Sequence, residues 1–212
     1  MLVACISDIH GDREAVRKYI DEISRCDVVV IAGDITNFGG REEAREILGM
    51  FPLSKVFAIA GNCDKREVLE VLEELGISIH EKVVTINNTA IGGVSGSNPT
   101  PFSTPFELSE EEIWNSLSKI KEGLEKARIK LLVTHAPPYG VRDKISTGVS
   151  VGSRAVRMFI DANDVNYLIC GHIHEAKGVE KFKETTVINC GTLSTGFYVL
   201  DVESGSVREV KE

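Results

Sequence analysis

The 212 residues are 42% hydrophobic and 26% charged, a composition that fits one α/β domain over residues 1–212 and leaves little room for a second core. Formal net charge is −8 with no lysine/arginine cluster, so the counterion release behind non-specific nucleic-acid binding is missing and no stable nucleic-acid partner is expected. No apolar run reaches membrane-spanning length and residue 1 leads straight into a strand-like run, so a cytoplasmic protein without a leader or membrane partner is expected.

Residues 2–6 are a continuous apolar run, the pattern of a strand buried on both faces, passing through Ser7 into Asp8-Ile9-His10-Gly11-Asp12. Residues i and i+2 of an extended chain share a side, so Asp8 and His10 project together. Asp12 is placed to cap a helix on which Ala15, Val16, Tyr19, Ile20 and Ile23 keep 3.6-residue spacing. Residues 27–32 form a second buried strand ending in Gly33-Asp34, 41–48 a short charged helix, and 55–60 a third strand ending in Gly61-Asn62-Cys63-Asp64. Asp64-Lys65-Arg66-Glu67 has the form of a capping box, so Asp64 is expected to cap a helix that buries Val68, Leu69, Val71, Leu72 and Leu75 and closes at Gly76.

Residues 77–79, 83–86 and 89–94 read as short strands, the last two joined by a turn at Asn87-Asn88. His80 fits no pattern, and a structural or solvent-facing place is expected for it. Residues 95–108 hold three of the six prolines together with Phe102 and Phe106, which predicts an ordered loop beside the site. Ser109-Glu110-Glu111-Glu112 opens a helix to about Lys126, with Ile113, Trp114, Leu117, Ile120 and Leu124 on its core face. Residues 129–134 are a strand ending at His135 and a Pro137-Pro138 turn, and 153–160 a helix. The strand Tyr167-Leu168-Ile169-Cys170 ends in Gly171-His172-Ile173-His174, two imidazoles delivered to one side of a strand end. Residues 185–189, 196–202 and 206–210 read as consecutive antiparallel strands. Strands alternating with helices early, then pairing locally, predict mixed sheets flanked by helices. The five cysteines are odd in number and lack CxxC spacing, so no disulfide framework is expected.

Ligands in such architectures bind beyond the carboxyl ends of the strands. Those ends present Asp8, His10, Asp34, Asn62, His135, His172 and His174, a set that takes four of the five histidines. It exceeds the needs of one ion and suits two divalent cations sharing a carboxylate. Mixed oxygen and nitrogen donors fit Mn²⁺, Fe, Zn²⁺, Co²⁺ or Ni²⁺ and disfavour Ca²⁺ or Mg²⁺, with Mn²⁺ favoured for activity.

Asp8-Ile9-His10, Gly33-Asp34, Gly61-Asn62, His135 and Gly171-His172-Ile173-His174, in that order, resemble the five motifs of the calcineurin-like metallophosphoesterase family. Gly-Asn-Cys-Asp and the early Asp-x-His are similar to its small bacterial and archaeal phosphodiesterases. The resemblance implies a four-layer α/β/β/α sandwich of two mixed sheets flanked by helices. It also implies that Asp8, His10 and His174 hold one metal and Asn62, His135 and His172 the other, with Asp34 bridging both. A small phosphodiester would then be hydrolysed by in-line attack of a metal-bridging hydroxide, with Asn62 and His135 close to the phosphate oxygens. Cys63 departs from the family, many members of which have a leaving-group histidine there; a thiol is a weak donor, so good leaving groups or protonation by water are expected. A phosphomonoesterase or protein phosphatase on the same metals, and a protein-binding scaffold resembling the retromer subunit, are the competing readings. Assembly with further copies of the chain is left open.

Overall fold

The apolar runs pair into two sheets, and the 3.6-residue stripes lie on their outer faces. In a computed structural model describing residues 1–211, the elements are β1 (Leu2–Ile6), α1 (Arg13–Ser24), β2 (Val28–Ala32), α2 (Arg41–Leu48), β3 (Val56–Ile59), α3 (Arg66–Glu74), β4 (Val83–Ile86), β5 (Thr89–Val94), α4 (Glu110–Glu125), β6 (Ile129–Thr134), α5 (Arg154–Ala162), β7 (Tyr167–Cys170), β8 (Gly178–Phe182), β9 (Thr185–Asn189), β10 (Phe197–Asp201) and β11 (Val207–Val210). One sheet has the order β11-β10-β1-β2-β3 and the other β4-β5-β6-β7-β9-β8. Strands β1, β2 and β3 are mutually parallel, as are β5, β6, β7 and β9, while β4, β8, β10 and β11 pair antiparallel with their neighbours. Both sheets are mixed.

Alternation along the strands sorts the core into layers. Val3, Cys5, Val28, Val30 and Ile59 meet Ile91, Leu131, Val133, Ile169 and Ile188 in one buried cluster. The intervening residues, such as Ala4, Ile6, Val29, Ile31, Leu132 and Leu168, join helix residues including Val16, Ile47, Leu72, Leu117 and Phe159. This is the α/β/β/α sandwich, with each fully buried Ile, Leu or Val contributing roughly 1.5–3 kcal/mol over an exposed position. No helix among the described residues is long and apolar enough to cross a membrane.

Side-chain caps open α1, α4 and α5. Asp12 accepts from the amides of Glu14 and Ala15, and Ser109 and Glu112 form a reciprocal capping box. Three expectations are corrected. Strand β8 lies outside the expected strands, because Gly-Val-Glu-Lys-Phe is an exposed edge strand with no apolar alternation. It pairs antiparallel with β9, which runs parallel to β7, and the chain then crosses to the other sheet for β10, so residues 185–210 are not one consecutive meander. Residues 77–79 form no strand; Ser78 makes an isolated bridge to Ala58, and the adjoining His80 makes one to Gly93.

Candidate metal centre

The loops after β1 and β2 are laced together by main-chain bonds from Asp8 N to Gly33 O (3.0 Å), His10 N to Asp34 O (2.9 Å) and Gly11 N to Ile35 O (3.0 Å). In the second sheet, Gly171 N donates to His135 O at 3.0 Å. Side chains then join the sheets. His135 Nδ1 lies 2.8 Å from Ala32 O and its Nε2 lies 2.9 Å from Asn62 Oδ1. Asp8 accepts from the His172 amide at 3.0 Å, and its other oxygen lies 2.9 Å from His174 Nε2.

Asp8, His10, Asp34 and His172 adopt φ of +51°, +50°, +51° and +68°, the left-handed region that L-residues avoid. Such strain costs on the order of 1–3 kcal/mol per residue and persists where the surroundings dictate it. Gly171 belongs to the same construction, since a Cβ there would collide with Ser7 Oγ and Asp8 Oδ2.

Three overlapping sets of ligand atoms each lie within 4.8 Å of one another: Asp8–His10–His174, Asp8–Asp34–His135 and His10–Asp34–Cys63. Asp8 and Asp34 are each common to two sets, as a shared site requires. Asn62 touches His135. His172 is in none of these sets; its ring packs 5.1 Å from that of His135. The seven sequence-selected side chains thus gather in one place, with His172 the least engaged.

Burial alone would raise the carboxylates and lower the imidazoles. Yet the neighbouring imidazoles of His10 and His174 hold Asp8 well below the usual carboxylate range, and His135 holds Asp34 down. Burial would lower His135, but Asp34 beside it lifts it to about 9. Burial drives His172 the other way, to about 4, with the charge of His135 adding to the effect, so its ring is neutral at pH 7 and available as a ligand.

These residues fit divalent metal. With Nδ1 of His135 donating to Ala32 O, its Nε2 lone pair faces the acceptors Asn62 Oδ1 at 2.9 Å and Asp34 Oδ2 at 3.3 Å, an arrangement that needs either a proton or a cation. His10 Nε2 is buried without a hydrogen-bond partner, 3.6 Å from Asp8 and 3.8 Å from Asp34. An orphaned imidazole nitrogen between two carboxylates is a metal ligand's environment.

Two supporting residues escaped the sequence. Asp64 does not cap α3, whose N-cap is Lys65 without a side-chain bond. Fully buried, it accepts from Ile35 N (3.1 Å), Thr36 N (2.8 Å), Thr36 Oγ1 (2.8 Å) and Gly61 N (2.9 Å), tying the Asp34 loop to the Asn62 loop. Burial, with Asp34 nearby, raises it to about 6. Its resemblance to a capping box concealed this role. Thr104, from the 95–108 loop, accepts from Asn62 Nδ2 at 3.0 Å and so turns Asn62 Oδ1 toward His135. His80 is structural, its Nδ1 accepting from Ser95 N at 3.0 Å.

The family model of calcineurin-like phosphoesterases matches residues 1–176. The protein MJ1162 of Methanocaldococcus jannaschii is 37% identical over 214 residues, spanning 98% of this chain and 94% of that one. TT1561 of Thermus thermophilus shares the fold with a TM-score of 0.78 at 16% identity, over 99% of this chain and 98% of that one. An archaeal phosphodiesterase superposes with a TM-score of 0.59 at 18% identity, covering 100% of both chains. With its ordered strand-end motifs inside the matched region, the chain belongs to the calcineurin-like phosphoesterase family.

Proposed function

We propose that the chain is a single-domain, cytoplasmic, dinuclear phosphodiesterase acting on small phosphodiesters. The observation that carries this reading is the buried, unpartnered His10 Nε2 set between two carboxylates that each join a second cluster of ligand atoms. In this reading Asp8, His10 and His174 hold one ion, Asn62, His135 and His172 the second, and Asp34 serves both. When bound, two divalent ions supply positive charge for the phosphate oxygens and an activated water, and Mn²⁺ is the ion favoured for activity.

The chain's own residues do the rest. Asn62 and His135 are assigned to the phosphate as well as to an ion. Thr104 fixes the Asn62 amide, and Ala32 O fixes the His135 tautomer, so both arrive oriented. Cys63 stands where a stronger acid would protonate a departing alkoxide, but burial, with Asp34 adding to it, pushes its thiol far above its ordinary value. Protonation from solvent and a preference for good leaving groups follow.

The test is a paired assay. Protein loaded with Mn²⁺ and desalted is expected to retain close to two ions per chain and to hydrolyse bis(p-nitrophenyl) phosphate faster than p-nitrophenyl phosphate. A faster monoester reaction replaces the diesterase reading with a monoesterase, and hydrolysis of neither ester leaves the scaffold.

A further inference from the structure

Two of the eight phenylalanines, Phe38 and Phe102, are largely exposed, at 50% and 82%, and no other phenylalanine among the described residues is. Single exposed apolar side chains are ordinary on a protein surface. What sets these two apart is how they are held and where. Phe38 lies four positions beyond Asp34 with φ +60°, an outlier for a bulky side chain, and its amide donates to the Cys63 carbonyl at 3.1 Å. Backbone strain is thus accepted at a position where the ring packs into no core.

Phe102 is presented from the 95–108 loop, which is tied to the neighbouring residue. Asn62 Nδ2 donates to Thr104 Oγ1 at 3.0 Å and Phe106 N donates to Asn62 O at 3.1 Å. Glu107 Oε1 gathers Thr100 Oγ1 (2.6 Å), Thr104 N (2.8 Å) and Thr104 Oγ1 (2.7 Å), and Thr100 Oγ1 in turn accepts from Phe102 N at 3.2 Å. The loop is internally braced, so the exposed ring stands on a fixed support. The backbone of Phe38 is bonded to Cys63, and the loop that carries Phe102 is bonded through Thr104 and Phe106 to Asn62, so both rings project from segments that border the candidate ligand Asn62.

The geometry points to Phe38 and Phe102 as an aromatic rim that stacks a planar aromatic or heteroaromatic group of the phosphoester substrate. The inference rests on the phosphoesterase reading and names the class of ester that this site takes. Rings held by strained or braced backbone lose little freedom on binding, and a stacked base gains from any aromatic face without needing hydrogen-bond readout. The wall beside the phosphate position then selects for a flat substituent, with polyol and alkyl esters taken less well.

The experiment compares two ligands with the same phosphate, adenosine 5′-monophosphate and ribose 5-phosphate, as competitors of bis(p-nitrophenyl) phosphate hydrolysis by the Mn²⁺-loaded protein. Binding of a fluorescent ethenoadenosine monophosphate provides a readout independent of turnover. The parent is expected to favour the base-bearing ligand about tenfold or more, Phe38→Ala and Phe102→Ala each to cut that ratio about fivefold, and the double variant to bring it near one. Phe102→Trp is expected to keep the ratio, and Met158→Ala, at an exposed side chain on α5, to leave it unchanged. Equal ratios in the parent and the double variant, with hydrolysis intact, overturn the rim alone. Absence of hydrolysis in the parent overturns the phosphoesterase reading and the rim with it.

Discussion

The two ends of the parallel strands are made from the same sheets and differ in what they leave unsatisfied. At the amino end lies a cavity of about 420 Å³, lined by residues including Met1, Asp27, Lys55, Phe57, Ile86 and Asn87. Two of its polar groups have ordinary partners: Lys55 Nζ donates to Ser24 O and Cys26 O at 3.2 and 3.1 Å, and Asp27 accepts from Leu2 N at 2.7 Å. The carboxyl end brings together left-handed aspartates and histidines, buried carboxylates and an imidazole nitrogen with no partner. Open volume is found at the first end, and a buried imidazole nitrogen without a partner, set among buried carboxylates, at the second.

The sharpest way to break that contrast is at Asp34. Asp34→Ala is expected to lose bound metal and to cut diester hydrolysis by more than about 100-fold, beyond what removing a supporting partner costs. Metal content after desalting and the rate on bis(p-nitrophenyl) phosphate check both, and a variant with two ions and parental turnover would reject the shared carboxylate.

Asp64 comes next. Asp64→Ala leaves the amides of Ile35, Thr36 and Gly61 without their acceptor, and a stability loss of about 2–5 kcal/mol is expected in urea unfolding. Manganese affinity, read by calorimetric titration, should fall roughly 10- to 100-fold. Unchanged affinity would reduce Asp64 to a purely structural clamp.

A smaller effect separates protons from metal. Burial opposes protonation of His135, but Asp34 lifts it to about 9 in the folded chain, against an unfolded value near 6.5. Its stabilisation is complete below the unfolded value and is lost as pH rises through the folded one. Chelator-treated protein should therefore lose on the order of 5 °C in Tm between pH 7 and 10. Loading with Mn²⁺ should abolish most of that slope, because a cation takes over the role of the proton. His172, held near 4, has the opposite sign and weakens the metal-free fold as pH falls below about 6.5.

The smallest effect belongs to the other end. Lys55→Met removes a cation from the carboxyl terminus of α1, a loss of about 0.3–1 kcal/mol in unfolding, with diester turnover expected to stay within twofold. A large drop in turnover would show that the two ends are not independent.

The layers of the fold were legible wherever burial imposed a pattern. Continuous runs such as Val28–Ala32 announced strands covered on both faces, and the stripe Ile113, Leu117, Ile120, Leu124 announced α4. Strand β8 was not legible, because an exposed edge has no need of alternating apolar residues. The crossing from β9 to β10 was hidden for a different reason: both strands look alike locally, and only tertiary packing decides which sheet each joins. At the site, each ligand type could be seen to follow a strand, since glycine before Asp34, Asn62 and His172 marks a sharp exit. Partners such as Thr104 for Asn62, 42 positions away, carry no local signal. Asp64 misled because the same four residue types serve a helix cap and a buried clamp.

The contact between Asp8 and His174 spans 166 positions. A nascent polypeptide therefore emerges from the ribosome with its first cluster of donors in hand and must wait until β7 and the turn beyond it have been made before the pair can meet. Chains stopped before His174 carry only part of the ligand set, which closes after both sheets have gained their central strands.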